Sequence, residues 1–356
     1  MASFFSLDAK RRIGDNNQLI KISKLINWQR IDYKVRRVNK NLGDGRSAGV
    51  LPYDALSMFK AILLQNWGSL SDKELEDALN LRIDFMLFCD FDISDHIPDE
   101  TTICRFRNKL IDKNLLEKLL SEVNSQLEQL GLKVKKTNMA IVDATIIESS
   151  CRPKMKILEE IPEDRKENRQ ADNKANNQDN KNSSEYHEII SVDQEAKWLK
   201  KGNKFYFGYK SFACVDEEGF VIKNHTTPAN CAEVNKLEIM ADNINAKRMS
   251  GDKAYDSKSN RDLLKNKNIK SGLMFKAKRN KPLTRWQKLF NKLVSKKRFR
   301  VEQSFGTLKR KFKFSRASYQ STIKVNAQFT LKAICLNLLK AVNKIELLKT
   351  KQLLSG

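Results

Sequence analysis

Ala140-Ile141-Val142-Asp143-Ala144-Thr145-Ile146-Ile147 decides the fold class. A short apolar, β-branched run with one acid reads as a buried strand. An unpaired carboxylate is costly to bury, so Asp143 is expected at the strand's end or beside a cation. Downstream, Lys204 to Val215 and Gly219-Phe220-Val221-Ile222, joined by Asp216-Glu217-Glu218, predict a β-hairpin. A helix over about 232–246, a short strand ending at Asp252 and another over Ser271–Phe275 follow. Upstream, from Leu7 to about Lys136, the pattern is helical: Leu56, Phe59 and Leu63 recur at helix spacing, and Ser71-Asp72-Lys73-Glu74 reads as a capping box. A helix starting near Pro98 would place Ile103, Phe106 and Leu110 on one face and Thr101, Arg105 and Asn108 on the other. The order predicts mixed α/β with a long terminal helix.

The stretch from about 150 to 204 is different in kind. It contains Asn176-Asn177-Gln178-Asp179-Asn180-Lys181-Asn182-Ser183-Ser184, too polar to support a core, and reads as a flexible insertion. Lys and Arg number 67 against 43 Asp and Glu, a formal charge of +24. Such a field favours a polyanion, either nucleic acid or an acidic membrane surface. No run of about 18 apolar residues exists to cross a membrane and no basic-then-apolar leader is present, so the expected place is the cytoplasm. The six cysteines form no Cys-x-x-Cys pair and only three histidines accompany them, which supports neither a disulfide framework nor a zinc site. They read as small buried side chains.

Two further acids stand out. Asp252, in Gly251-Asp252-Lys253-Ala254-Tyr255-Asp256, closes a strand and opens a turn, a place shared by catalytic groups and ordinary turn aspartates. Glu302 lies four residues after Arg298 and seven before Lys309, so on a helix the three form one row beside the apolar stripe Val301, Phe305, Leu308 and Phe312. An exposed salt-bridge ladder would give the same pattern. Yet between Lys276 and Arg316 there are 16 Lys and Arg and one acid, Glu302. A lone carboxylate in so basic a segment suits a metal ligand beside a phosphate track. Trp286 and Tyr319 flank it, open to base stacking or to core packing, with core packing favoured for Trp286. Three carboxylates together suit two hard divalent cations, which in phosphoryl transfer activate the attacking oxygen and stabilise the leaving one.

These residues resemble the insertion-sequence-five family of bacterial DNA transposases, which use a ribonuclease H-like fold and an Asp-Asp-Glu triad. The resemblance rests on the helical block from Leu51-Pro52-Tyr53-Asp54 to Leu110, on Val142-Asp143-Ala144-Thr145, Phe207-Gly208-Tyr209-Lys210, Thr227-Pro228-Ala229-Asn230 and Gly251 to Asp256, and on Arg298 to Lys309. Two departures are visible. Ser295 stands where the family's signature has tyrosine, and Cys231-Ala232-Glu233 follows Asn230 where a histidine–aspartate pair is usual, so no catalytic role is assigned there.

The resemblance implies a helical DNA-binding domain over 1–136, a ribonuclease H-like mixed sheet flanked by helices over 137–320, and a C-terminal helix over 321–356 packing on it. It implies that Asp143 and Asp252 hold two Mg²⁺ ions, for which Mn²⁺ could substitute, with Glu302 completing the site and Arg298 and Lys309 contacting DNA near the cut. Implied partners are the element's terminal inverted repeats, target DNA, and at least one further copy of the chain, acting on the chromosome of a bacterial cell. Thr101, Arg105 and Asn108 are candidates for reading DNA ends, with an ordinary solvent face as the alternative. A nuclease that cuts without joining, or an inactive DNA-binding regulator derived from a transposase, would share the same residues.

Overall fold

The computed structural model describes residues 4–38, 52–151, 153 and 193–355. Among the described residues eight α-helices come first: α1 (Phe4–Ile13), α2 (Gln18–Leu25), α3 (Trp28–Val35), α4 (Ala55–Gly68), α5 (Asp72–Leu81), α6 (Ile83–Cys89), α7 (Glu100–Asp112) and α8 (Leu115–Gln129). Local chemistry sets their starts. The Ser71–Glu74 capping box forms as expected, with Ser71 Oγ accepting from Glu74 N and Glu74 accepting from Ser71 N. Asp99 caps α7 by accepting from Thr102 N at 2.6 Å. On α7, Ile103, Phe106 and Leu110 are buried while Thr101 and Arg105 face solvent.

The sheet has six strands: β1 (Ala140–Glu148), β2 (Lys197–Lys201), β3 (Lys204–Val215), β4 (Val221–Pro228), β5 (Arg248–Gly251) and β6 (Lys270–Leu273). β3 runs antiparallel to β1, β2 and β4, while β1, β5 and β6 are mutually parallel neighbours. The path β4–β3–β1–β5–β6 is the mixed, ribonuclease H-like arrangement that the resemblance implied. Gly208 allows β3 to cross close to β1: a Cβ there would come within 2.2 Å of Ile147 O.

Three expectations are corrected here. The segment read as flexible from 150 to 204 gives way at its far end to edge strand β2, whose Lys-Trp-Leu-Lys-Lys pattern is too polar to announce a strand. Residues 154–192 of that segment lie outside the described residues, as does Leu51. The helix expected over 232–246 is a 3-10 turn, Glu233–Lys236, followed by α9 (Leu237–Ala241); it stops where Asn243 takes a left-handed backbone. Trp286 is not in the core.

α10 (Lys258–Asn266) and α9 cover one face of the sheet, where Val142, Phe212, Cys214, Leu237, Met240, Tyr255 and Leu264 form one buried cluster. α11 (Arg285–Arg310) and α12 (Thr322–Ser355) cover the other. The change at about residue 136 marks a switch of secondary structure and not a gap in packing. A single larger cluster runs from Phe59 and Leu79 of the helices through Ile141 and Val215 of the sheet to Phe305 and Phe329. The middle of α12 is enclosed, every residue from Ala327 to Leu339 being buried, polar Gln328, Thr330, Lys332 and Asn337 among them, and the helix packs on α2, α4 and α8 as well as on β4 and α11. Its wholly buried Asn337 accepts from Val221 N at 2.8 Å and donates to Asn124 Oδ1 of α8 at 2.8 Å, joining three elements. Of the cysteines, Cys89, Cys214 and Cys335 are buried and Cys104, Cys151 and Cys231 half-buried.

Candidate active site

β1 and β5 bring the two aspartates together. Their parallel register pairs Ala140 with Met249 and Ile141 with Ser250; carried two residues further, it sets Asp143 level with Asp252. β5 ends at Gly251, so Asp143 stands where its strand loses a neighbour, and Asp252 caps the following 3-10 turn by accepting from Ala254 N. This is the carboxyl end of a strand, where an α/β sheet leaves room for a ligand. Asp143 also meets the requirement for a cation, because Arg298 Nη2 on α11 lies 2.8 Å from its Oδ2.

α11 begins with a capping box, Thr284 with Gln287, and runs along the sheet for 26 residues. Val301, Phe305, Leu308 and Phe312 are buried, so the row Arg298–Glu302–Lys309 lies at the margin of the packed face. Arg298 points inward to Asp143, with its Nη2 4.0 Å from Glu302 Oε1 and its Nε buried without a hydrogen-bond partner. The Glu302 side chain is 61% exposed. Lys309 donates from Nζ to Ile146 O at 3.3 Å, and burial, with Lys201 adding, lowers its pKa. Ser295 is exposed one turn before Arg298. On α7, far along the chain, Thr101 and Arg105 are exposed and Asn108 is half-buried. Arg107, two residues from Arg105, turns inward.

Burial pushes the Asp143 carboxyl above its usual range; Arg298 opposes the shift and Asp252 adds to it. A donor set of carboxylate oxygens, with charges that repel until a cation arrives, suits a hard divalent ion. Among the described residues no three carboxylate, histidine or cysteine side chains are gathered closely enough to grip one, consistent with Glu302 standing outward. The donor chemistry fits such an ion, with the Glu302 side chain turned out to solvent.

Several residues at this site carried no separate signal in the sequence. Glu233 stands 3.6 Å from Lys210 Nζ, and the Lys210 ammonium also donates to Cys231 O at 2.9 Å. Tyr209, beside it in the Phe207–Lys210 motif, is structural: its hydroxyl donates to Asp193 and accepts from Ser321 N at 3.0 Å. Asp256 is structural too, accepting from Arg261 Nη2 and from Lys276 N, each at 2.7 Å. Trp286 is 62% exposed, stacked on Phe290 of its own helix and edge-on to Phe275. Tyr319 lies under the Arg107 guanidinium, 4.5 Å from ring centroid to Cζ.

Residues 136–338 match the family described as the transposase DDE domain, and residues 7–109 match one described as a transposase domain. The chain is 40% identical over 242 residues to the transposase for insertion sequence element IS1106 of Neisseria meningitidis serogroup B, covering 68% of this chain and 78% of that relative. No solved structure matches.

Proposed function

Because this chain belongs to the family of transposases with a DDE domain, we propose that it cuts the ends of an insertion sequence and joins them to target DNA using Asp143, Asp252 and Glu302. The family depends on divalent metal and acts on DNA. The observation that carries the assignment is the parallel register setting Asp143, within β1, level with Asp252 just past the end of β5, with Arg298 of α11 bonded to Asp143 and 4.0 Å from Glu302.

Asp143 and Asp252 are the residues to hold two Mg²⁺ ions, or Mn²⁺ in their place, with Glu302 completing the set. Bound there, the metal supplies activation of the attacking oxygen and neutralises charge on the leaving one. The chain's own residues supply position and charge. In the first step water attacks a phosphodiester at the element's end, the P–O3′ bond breaks, and a 3′-hydroxyl is freed. In the second, that hydroxyl attacks a target phosphodiester. Arg298 and Lys309 take phosphate contacts near the cut, and Arg298 would leave Asp143 as the metal and phosphate arrive. Arg105, with Thr101 and Asn108, reads the terminal repeats. Joining two ends calls for at least two copies of the chain. The described residues contain no helix long and apolar enough to cross a membrane, and the chromosome in the cytoplasm of a bacterial cell is the proposed site of action.

The experiment is incubation with DNA flanking the protein's own gene, in Mg²⁺ and in EDTA, beside Asp252→Asn and Glu302→Gln. Metal-dependent cutting at the flanks that vanishes in both variants is expected. Tight binding with no cutting in any metal would turn the reading to a DNA-binding regulator. Arg105→Ala is expected to weaken binding to the element's ends more than to random DNA, and equal loss on both would remove its recognition role.

A further inference from the structure

α11 turns an apolar stripe outward where a packed helix would hide one. Trp286, Leu289 and Leu293 stand at helical spacing on one face and are 62%, 56% and 56% exposed. Lys288, Lys292 and Lys296, each four residues from the next, form an exposed row alongside. The stripe is held in place without being covered. The Trp286 ring stacks on Phe290 with centroids 5.4 Å apart and stands edge-on to Phe275. Phe275 is itself fixed, its N–H donating to Asn291 Oδ1 at 2.8 Å, its carbonyl accepting from Asn291 Nδ2 at 2.9 Å, and the Arg261 guanidinium lying over its ring. An aromatic ring so supported loses little freedom on meeting a ligand.

Continued along the helix, the same spacing reaches Lys297 and Arg300. Both line a cavity of about 420 Å³ at the amino ends of β1 and β5, together with Arg248 and with Phe299, Met139 and Ile141. Its three cations face one acid, Glu217, which accepts from Asn138 Nδ2 at 3.2 Å. From Trp286 to Arg300 the track is about 21 Å long at 1.5 Å per residue.

Charge and apolarity together select the ligand. Between Lys276 and Arg300 there are 11 Lys and Arg and no acid. A second copy of this face would bring like charges together, and a neutral apolar partner would leave the lysine row unused. Duplex DNA suits the lysines but keeps its base faces stacked inside, away from Trp286. An unpaired strand offers phosphates and base faces at once.

We infer that this face of α11 binds single-stranded DNA, its bases on Trp286, Leu289 and Leu293 and its phosphates along Lys288, Lys292 and Lys296, with the basic pocket taking the strand onward. The inference rests on the transposase reading, because cutting and joining free strands that have to be held. The same helix carries Arg298 and Glu302, so a strand on the track lies on the element that reaches the catalytic centre.

The test is fluorescence anisotropy of a labelled oligothymidylate, an abasic strand of the same length and a duplex of unrelated sequence with the full chain, for wild type, Trp286→Ala and Lys292→Gln. Trp286→Ala is expected to weaken oligothymidylate binding at least about fivefold, the low end of the loss of one stacked base, and to leave the abasic strand and the duplex within about twofold of wild type. Lys292→Gln should weaken the oligothymidylate and the abasic strand alike and lower the salt slope by about 0.7. Equal affinity of Trp286→Ala and wild type for oligothymidylate, or an equal loss on the abasic strand, would overturn the inference. A Trp286-dependent dimer in sedimentation without DNA would give the face to a second copy and overturn it too. Cutting of the element's ends by the same wild-type preparation keeps the two readings apart. Cutting without Trp286-dependent strand binding leaves the transposase and removes the track, whereas Trp286-dependent binding without cutting removes the transposase and keeps the single-strand site. Photocrosslinking of a strand carrying iodouracil to the wild-type chain needs no variant to fold. Crosslinks are expected at Trp286, and crosslinks found only outside α11 would overturn the track.

Discussion

Two arginine–aspartate pairs, one in the helical block and one at the sheet edge, are built to opposite specifications. Arg107 of α7 grips Asp72 with both terminal nitrogens, shares Nη1 with Gln65 Oε1 at 3.2 Å and lies over the Tyr319 ring. Burial alone would push the Asp72 carboxyl up, yet its hydrogen bonds to Arg107 and Gln65 hold it below the ordinary range. Arg298 gives Asp143 one hydrogen bond at 2.8 Å, reaches Glu302 only at 4.0 Å and leaves Nε buried and unpartnered. There burial wins, and Asp143 titrates high. A fully satisfied pair belongs to the fold, whereas an undersatisfied one marks groups held ready for another partner.

That contrast can be broken by experiment. Arg107→Met is expected to cost the most stability, about 3–4 kcal/mol by thermal or urea melting, because it strands Asp72 at the α5–α7 junction. A loss under about 1 kcal/mol would show the pair to be dispensable. Arg298→Gln should behave the other way. Cleavage is expected to fall about a hundredfold, near 2.7 kcal/mol of barrier, while melting falls less than in Arg107→Met, since Arg298 gives Asp143 a single hydrogen bond. Strong destabilisation with unchanged turnover per folded molecule would place Arg298 with Arg107.

A third substitution tests the rule at a site outside the catalytic centre. Asp216, in the turn between β3 and β4, accepts from Phe220 N at 2.9 Å and Glu218 N at 3.0 Å through Oδ1, while Oδ2 is buried without a partner. Burial pushes its carboxyl up to about 6, against about 3.9 when unfolded. A raised carboxyl gives stability that is complete below pH 4 and lost as pH rises through 6. Asp216→Asn should therefore match wild type at pH 4 and exceed it at pH 8 by up to about 3 kcal/mol. No gain at pH 8 would mean that incomplete satisfaction is harmless there.

What the sequence disclosed was what local pattern encodes. Ser71 with Glu74, Asp99 before α7, the 216–218 turn and the apolar run at 140–147 each specify their own structure within a few residues. The row Arg298–Glu302–Lys309 was legible as a row because helix spacing fixes it. Its contacts were not: nothing near Arg298 in the chain says that it meets Asp143, 155 residues away. The pairing of Glu233 stayed hidden for the same reason, since Lys210 reaches it from a distant element. β2 was missed because an edge strand with exposed lysines reads like the polar segment before it. Trp286 was misjudged because an aromatic residue in an amphipathic helix usually packs inward, whereas here it is 62% exposed against Phe275 and Phe290.

The measurement closest to the central claim is strand transfer from a pre-cut element end into plasmid DNA by the purified chain. Joined product is predicted with a free 3′-hydroxyl in Mg²⁺ or Mn²⁺, and none with a dideoxy end, in EDTA, or from Asp143→Asn. Joining by the dideoxy end, or by the Asp143→Asn variant at the wild-type rate, would contradict the assignment.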